Sequence, residues 1–280
     1  MKIGFIGLGN VGGKLAGTLL RNGFDLTVRD LDPDLEHAFS DQGARIGASP
    51  VEIMRDVDLL ITCLPSPAAS AAVMEGADGA LQAMAPGKIW AEMSTTDALE
   101  VSRLGQKVSA AGGEPIDCPV SGGCHRAASG NISIFAGTER TTFEKVLPVL
   151  TTMGRRVLHT GALGSASTLK VMTNYLASVN LASLSEALMT MHRAGIDLNT
   201  TFEAMQSVSA KPLRICNKSS CKGKVHRLVS ASGFIFKGSG WFTSEYPSDA
   251  RKKGWESEGQ NTTANKSTST DGDTSSEKTP

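Results

Sequence analysis

The chain is poor in the features that would indicate a disulfide scaffold, a polyanionic partner or a membrane span. Among its 280 residues are five cysteines, an odd number without dense spacing, so we do not expect a disulfide framework. Lysine plus arginine and aspartate plus glutamate both number 28, so the total charge does not favour nucleic acid as a partner. No apolar run is long enough to span a membrane. These absences predict a globular protein that acts on neither nucleic acid nor membranes.

Metal sites and leader peptides are also not indicated. Cys216, Cys221 and His226 are spaced five apart, which is not a recognised spacing of metal ligands, so free thiols are the favoured interpretation. The first predicted strand begins almost at Met1 and leaves no room for a signal or transit peptide. We therefore expect a soluble, cytoplasmic protein without a bound metal.

The first twelve residues carry the clearest motif of the chain. The apolar run Ile3–Ile6 predicts a buried strand, and a helical pattern follows until Asn22-Gly23. The glycines between them have the Gly-x-Gly-x-x-Gly spacing of a dinucleotide-binding loop, in which backbone N–H groups and the helix N-terminus hold the phosphates. An ordinary glycine-rich turn is the alternative, and the flanking strand and helix disfavour it. We expect the cofactor-binding loop to comprise Gly7, Leu8, Gly9, Asn10, Val11 and Gly12.

A carboxylate follows this loop at the distance that nicotinamide dinucleotides require. The alternating segment Asp25–Arg29 predicts a second strand that ends at Asp30, about 20 residues beyond the glycines. There Asp30 can accept hydrogen bonds from the adenosine ribose and would repel a 2′-phosphate, so NAD is favoured over NADP. Strand alternation predicts that Arg29 points to the opposite face; if Arg29 turned inward, the preference for NAD would be weaker. The alternative is that Asp30 is only a solvated charge at a strand end.

Strands and helices then alternate over about 160 residues, which is the pattern of a doubly wound parallel sheet. Asp58–Cys63 and Ile89–Met93 read as strands that are apolar on both faces, as in a sheet covered by helices on both sides. They end in Leu64-Pro65-Ser66 and Ser94-Thr95-Thr96, at the sheet edge where ligands bind in such folds. We predict an α/β, Rossmann-type domain over residues 1–162.

Two later segments carry candidate chemistry. Asp117–Gly123 reads as a strand end that runs into a glycine pair, whose backbone N–H groups could reach a substrate carboxylate; a plain turn is the equal alternative. Ser165–Ala194 reads as a long helix with two apolar stripes, which predicts that it bridges domains and packs on both sides. Lys170 and Asn174 are i and i+4 on this helix and can face one pocket, although a lone lysine is more often solvated.

With these segments in place, the chain resembles the β-hydroxyacid dehydrogenase family, particularly 3-hydroxyisobutyrate dehydrogenases and tartronate semialdehyde reductases. Four motifs match in order and spacing over residues 1–208: Gly4–Gly12, Asp117–Gly123, the Lys170–Asn174 helix segment and Glu186-Ala187. The resemblance implies NAD-dependent oxidation of a small 3-hydroxy acid, with Lys170 as the catalytic acid and base. It also implies substrate contacts from Ser121, Gly122, Gly123 and Asn174, and a nicotinamide site lined by Leu64, Pro65 and Thr95.

The sequence departs from the family pattern at several positions. Ala166 stands where the family has glycine, Tyr175 replaces an asparagine, and Glu92 replaces an aspartate. After residue 209 the expected helices and a Lys-Asp pair are missing. We therefore expect residues 163–209 to be the long helix and the start of a truncated all-α domain. Residues 210–280 should form an atypical, largely disordered tail, which a frame shift near residue 210 would explain.

These departures leave alternatives to the dehydrogenase open. One is a catalytically impaired NAD(P)-binding protein, and another is a semialdehyde reductase of the tartronate or succinic type. Lys170 disfavours an imine reductase, because those relatives usually have another residue there. A homo-oligomer of the family type is not expected, because the C-terminal part is atypical.

Overall fold

The computed structural model describes residues 1–205, 215, 221 and 223–224. The chain divides into one unit of Met1–Met205 and a second of Gln206–Pro280. In the second unit, Ile215 and Lys224 form an isolated antiparallel bridge. Apart from these few residues, the tail that we predicted over 210–280 lies outside the described residues.

Strands and helices alternate through the first unit, as the sequence predicted. Each strand is short, and most strands of the first half are followed by a helix that returns the chain to the start of the next one. In chain order the elements are β1 Ile3–Ile6, α1 Gly12–Arg21, β2 Leu26–Arg29, α2 Pro33–Ser40, β3 Arg45–Ile46, α3 Pro50–Asp56, β4 Leu59–Thr62, α4 Pro67–Glu75, a 3₁₀ turn Ala80–Ala83, β5 Ile89–Glu92, α5 Ala98–Ala110, β6 Glu114–Asp117, β7 Val120–Ser121, α6 Cys124–Ala128, β8 Ile132–Gly137, α7 Arg140–Met153, β9 Gly154–Gly161, α8 Ser165–Arg193 and α9 Leu198–Ala204.

The nine strands of residues 1–205 belong to one sheet with the order β3-β2-β1-β4-β5-β6-β8-β7, and β9 pairs with β8. The first six strands of this order are parallel, so the predicted Rossmann-type α/β fold is confirmed. Strand β8 runs antiparallel to β6 and β7 and parallel to β9. Strand order reverses between β1 and β4, and this switch point opens a crevice at the carboxyl ends of the two strands.

Side-chain alternation along the strands builds a separate core on each face of the sheet. Ile3 and Phe5 of β1 pack into the core that also holds Leu15 and Leu19 of α1. Ile6 packs into the opposite core, which contains Trp90 of β5. A strand buried on both faces needs apolar residues at every position, which explains why these strands read as continuous apolar runs.

Short side chains at strand ends start several of the helices. Ser49 accepts the Glu52 N–H at 3.3 Å and precedes Pro50 at the first position of α3. Ser66 and Asp97 cap α4 and α5 in the same way. Because such caps satisfy N–H groups that lack intrahelical partners, they fix where each helix leaves the loop at the carboxyl edge of the sheet.

Helix α8 runs for 29 residues from Ser165 to Arg193, so the predicted long helix is confirmed. The expectation that it packs on both sides is not met among the described residues. Its buried residues are Ala166, Ser167 and Lys170, while Leu176 is 57% exposed. Helix α8 therefore packs on the sheet domain only through its first two turns. None of the helices in the described part of the chain is long and apolar enough to cross a membrane.

Candidate functional site

A cavity of about 890 Å³ lies along the carboxyl edge of the sheet. It extends from the loops after β1 and β2, past those after β4 and β5, to the loop after β7 and the start of α8. Its lining includes twelve of the residues predicted from the sequence: Gly7, Gly9, Asn10, Val11, Gly12, Asp30, Leu64, Pro65, Thr95, Gly122, Gly123 and Lys170. The fold therefore joins the predicted cofactor residues and the predicted catalytic lysine in one cavity.

The three glycines after β1 have different physical roles. Gly7 has φ +98°, and a Cβ there would collide with the Cys63 carbonyl oxygen. A Cβ at Gly12 would collide with the Gly7 carbonyl oxygen, because α1 and β1 pack closely there. A Cβ at Gly9 would meet nothing within 4 Å, so the missing side chain at Gly9 leaves open space at the cavity rather than relieving a clash.

The residues present fit the pyrophosphate of a nicotinamide dinucleotide. No side chain caps the N-terminus of α1. The Gly13 and Lys14 N–H groups donate to the Gly9 and Val11 carbonyls at 2.9 and 3.0 Å, so it is the positive dipole end of the helix that can attract an anion. Gly9 borders the cavity directly in front of this helix end. Open space beside an uncapped helix N-terminus is the environment that dinucleotide phosphates occupy in this fold.

At the far end of the cavity, Asp30 is held by two backbone groups. Its Oδ2 accepts the Leu8 N–H at 2.5 Å, and its Oδ1 accepts the Asp32 N–H at 3.0 Å. Leu8 is buried and contributes this N–H, whereas its side chain packs in the core. Asp30 is thereby fixed against the glycine loop.

The prediction that Arg29 faces away from Asp30 is wrong, because both residues line the cavity. Strand β2 ends at Arg29, so strict alternation does not extend to Asp30. The Arg29 guanidinium donates to the Gly47 carbonyl at 3.1 Å and lies 4.0 Å from the Glu36 carboxylate. These partners hold the guanidinium at the same end of the cavity as Asp30.

Through Ser94, Glu92 connects the loop that carries Leu64 and Pro65 to the loop that carries Thr95. Its Oε1 accepts the Ser94 N–H at 2.8 Å, and the Ser94 hydroxyl oxygen accepts the Leu64 N–H at 2.7 Å. Glu92 is fully buried, and burial raises the pKa of its carboxyl although Ser94 opposes the shift. Burial, and secondarily the Glu92 charge, raises the pKa of the neighbouring Cys63 thiol to about 12, so this thiol is not a candidate nucleophile.

The glycine pair after β7 provides the other end of the cavity. Gly122 has φ +136° and Gly123 has φ +84°, a backbone path that side chains rarely adopt. Both glycines line the cavity, whereas Ser121 is half-buried in β7 opposite Ser133 and is not among the lining residues. The pair thus leaves backbone accessible where a substrate carboxylate could approach.

Lys170 is the one cationic group that α8 contributes to this cavity. It is only 8% exposed, and no described carboxylate forms a salt bridge with it. Burial lowers the pKa of its ammonium group, because a charged amine loses hydration there. Asn174 is exposed and does not line the cavity, since four residues advance the helix by about 6 Å beyond the sheet domain.

Several residues of the site were not singled out from the sequence. Ser94 was predicted to lie at the ligand edge of the sheet with Thr95, but its hydrogen bond with the Leu64 N–H was not predicted. Met93, Val120 and Ile132 are apolar wall residues that no local motif distinguishes from core. Only their neighbours in space place them at the cavity.

The chain matches two protein-family models over nearly all of its described residues. Residues 2–161, more than half of the chain, match the NAD binding domain of 6-phosphogluconate dehydrogenase. Residues 164–223 match the model described as NAD-binding of NADP-dependent 3-hydroxyisobutyrate dehydrogenase. This second match extends beyond residue 208, where we expected the resemblance to end.

The chain belongs to the β-hydroxyacid dehydrogenase family. Its first unit is accordingly an NAD(P)-binding domain. Rat mitochondrial 3-hydroxyisobutyrate dehydrogenase is 34% identical over 195 residues, which are 70% of this chain and 58% of the rat protein. The matched part of the chain thus spans less than two thirds of that relative's length.

Two further relatives show how far the family likeness extends. The 2-hydroxy-3-oxopropionate reductase of Escherichia coli K12 is 33% identical over 201 residues, covering 70% of this chain and 67% of the enzyme. Among solved structures, 3-hydroxyisobutyrate dehydrogenase of Mycobacterium tuberculosis with L-serine superimposes with a TM-score of 0.70 at 25% identity. That superposition covers 74% of this chain and 70% of the other.

Proposed function

We propose that this protein transfers hydride between NAD and a small 3-hydroxy acid, with Lys170 as the proton acceptor and donor. One observation carries the proposal: a lysine that is only 8% exposed and lacks a described acidic partner lines the same cavity as the glycine loop and Gly122-Gly123. A lysine on a solvated helix face would be expected to keep its head group in water. Burial of Lys170 at a cofactor cavity indicates a chemical role.

The nicotinamide, when bound, supplies the hydride chemistry. In the oxidation direction, neutral Lys170 accepts the proton of the substrate hydroxyl at Nζ. In the reduction direction, the Lys170 ammonium donates that proton to the carbonyl oxygen. The lowered pKa of Lys170 increases its neutral fraction near neutral pH, which a general base requires.

The backbone of Gly122 and Gly123 supports an acidic substrate. The relatives are named for 3-hydroxyisobutyrate, 2-hydroxy-3-oxopropionate and 2-(hydroxymethyl)glutarate. Each of these molecules has a carboxylate on the carbon next to the oxidised or reduced one. We propose the same class here, with the carboxylate at the glycine pair and the hydroxyl toward Lys170.

The Asp30 carboxylate supports NAD rather than NADP as the cofactor. It borders the cavity beside the glycine loop, where a 2′-phosphate would meet its negative charge. Arg29 lies at the same end, but its guanidinium is engaged by Gly47 and Glu36. A guanidinium that already has these two partners is less able to neutralise the negative charge of a 2′-phosphate.

A second candidate is an NAD(P)-binding protein with impaired catalysis. Two observations favour it: the match spans 58% of the rat relative, and apolar residues such as Leu176 on α8 are exposed. A semialdehyde reductase of the tartronate or succinic type would use the same groups in the reduction direction.

The test is a substrate panel on the purified chain and on Lys170→Ala. Initial rates of NADH formation would be measured with 3-hydroxyisobutyrate, L-serine and D-glycerate, using NAD and NADP. We expect Lys170→Ala to lose on the order of 1,000-fold in kcat and to bind NADH as before. Lys145→Ala is the matched control, because this exposed lysine pairs with Glu114 at 2.5 Å, away from the cavity. Full turnover by Lys170→Ala would refute the role of Lys170, whereas nucleotide binding without any turnover by the unmodified chain would support the second candidate.

A further inference from the structure

Asp117 joins the sheet to the helix that carries Lys170. It is the last residue of β6 and is fully buried. Its Oδ1 accepts the Gly164 N–H at 2.8 Å, and its Oδ2 accepts the Ser167 N–H at 2.7 Å. These N–H groups belong to the N-cap and first turn of α8, where backbone donors have no intrahelical acceptor. A carboxylate that is distant in sequence thus provides the cap that Gly164, which has no side chain, cannot provide.

Glycines around Asp117 leave the space that its contact with α8 requires. A Cβ at Gly137 would collide with the Asp117 Oδ1, so only glycine leaves room for the carboxylate there. Gly164 has φ +87°, which places its N–H toward the sheet in a conformation that glycine adopts without strain. Leu163 packs where a Cβ at Gly105 would stand, which holds the approach to α8 against α5. Strands β6 and β8 and helix α5 therefore meet at the start of α8.

The same helix end determines where Lys170 lies. Lys170 follows Ser167 by three residues and is on the same helix face. It has no salt bridge with any residue that the structure describes, so no partner side chain fixes its ammonium group. The position of Nζ consequently depends on the height and rotation of the first two turns of α8, which are the turns that pack on the sheet domain.

Asp117 also begins the segment that forms the substrate end of the cavity. Gly122 lies five positions further along the chain, and the Cys118 N–H donates to the Glu92 carbonyl at 2.7 Å. A shift of Asp117 would therefore move the glycine pair and the Lys170 helix relative to each other. Burial raises the pKa of the Asp117 carboxyl, and the hydrogen bonds from the Ser167 and Gly164 N–H groups oppose that shift because they stabilise the charged form.

We propose that Asp117 is a positioning residue, which caps α8 from the end of β6 and thereby places Lys170 opposite the Gly122-Gly123 backbone. The part of this proposal that concerns turnover rests on the proposed function. The part that concerns the position of Lys170 does not, because it can be measured without substrate.

The experiment compares Asp117→Asn and Gly137→Ala with the unmodified protein. Asparagine retains one acceptor oxygen and presents an NH₂ group to the other N–H, while the added methyl at 137 displaces the carboxylate and leaves it charged. We expect faster amide exchange of Gly164 and Ser167 by NMR in both variants. We also expect the ¹³Cε titration of Lys170, assigned with Lys170→Met, to move toward the ordinary lysine value of 10.5. The fall in kcat should be roughly 100-fold, with little change in NADH affinity.

Asp58→Asn is the matched control. Its carboxylate also accepts a backbone N–H, from Lys2 at 2.8 Å, and lies at the opposite edge of the sheet. It should leave the Lys170 titration and turnover unchanged. Unaltered exchange at Ser167 and an unaltered Lys170 titration in both test variants would overturn the positioning role. If these readouts move but the unmodified chain has no Lys170-dependent turnover, the positioning role stands and the proposed function is wrong.

Discussion

The Asp30 carboxylate accepts the backbone N–H of Leu8 at 2.5 Å, which fastens the end of the second strand to the glycine loop. This bond uses one oxygen of the carboxylate, and the Asp32 N–H uses the other at 3.0 Å. Both oxygens retain further lone pairs for a ribose. The charge that would discriminate against a 2′-phosphate is therefore fixed by the protein before any nucleotide binds.

Asp30→Asn should relax the choice between NAD and NADP. The amide keeps an acceptor for the Leu8 N–H but removes the charge that opposes a 2′-phosphate. We expect the ratio of NADPH to NADH dissociation constants, measured by fluorescence titration, to fall about tenfold, equivalent to about 1.4 kcal/mol. Asp41→Asn, at the exposed end of α2, is the control and should leave the ratio as it is. An unchanged ratio in Asp30→Asn would show that Asp30 does not select the cofactor.

Gly9→Ala and Gly12→Ala should have different effects, the first on NADH binding and the second on the stability of the fold. A methyl at Gly9 meets no atom within 4 Å, so we expect a melting temperature near that of the unmodified chain and a large loss of NADH affinity. A methyl at Gly12 collides with the Gly7 carbonyl, which should destabilise the fold by roughly 1–3 kcal/mol. Thermal unfolding and NADH titration of both variants provide the check. Unaltered NADH affinity in Gly9→Ala would argue against a phosphate site at this loop.

Glu92→Gln should stabilise the protein at alkaline pH. The pKa of the buried Glu92 carboxyl is raised, so the folded state binds its proton more tightly than the unfolded state does. The stability contributed by that proton is present below the ordinary value of 4.5 and is lost as pH rises through the folded pKa. We expect the variant to melt about 2–4 °C higher than the unmodified protein at pH 8. At pH 4 the two proteins should have the same melting temperature. A gain that is the same at both pH values would exclude titration of Glu92 as the cause.

Lys170→Met should lower the activity and raise the stability of the protein. Burial lowers the pKa of Lys170, so the charged form costs folding free energy below its folded pKa. That cost is relieved as pH rises from the folded pKa toward the ordinary value of 10.5. We expect Met to raise the melting temperature by a few degrees at pH 7, about 1 kcal/mol, and by less at pH 10. Lys145→Met, on an exposed side chain, should produce no such pH-dependent gain.

The sequence motifs whose residues the structure brings to the cavity are local. Gly7, Gly9 and Gly12 lie between a strand and a helix that are adjacent in the chain, so their spacing alone defines the loop. Leu64 and Thr95 lie in the loops after β4 and β5, and parallel strands bring their carboxyl ends to one edge. Apolar periodicity predicted the long helix that carries Lys170, and its observed range is Ser165–Arg193.

The errors and omissions involve partners that are distant in sequence. Arg29 lines the same cavity as Asp30 because Gly47 and Glu36 hold its side chain, and strand alternation contains no information about them. Asn174 shares a helix face with Lys170 but is exposed, because α8 packs on the sheet domain only at its start. The motif that contains Asp117 suggested a substrate loop, whereas its carboxylate contacts an N–H group 50 residues away.

The sequence by itself determined the Rossmann-type sheet, the glycine loop and the helix that carries Lys170. Those features follow from hydrophobic periodicity and glycine spacing, which are patterns within short, contiguous segments of the sequence. Only the tertiary structure decided that Lys170 is buried without a described acidic partner and that Asp117 caps its helix. Burial and capping depend on which strand ends meet, and that is set by the packing of segments about 50 residues apart rather than by any local pattern.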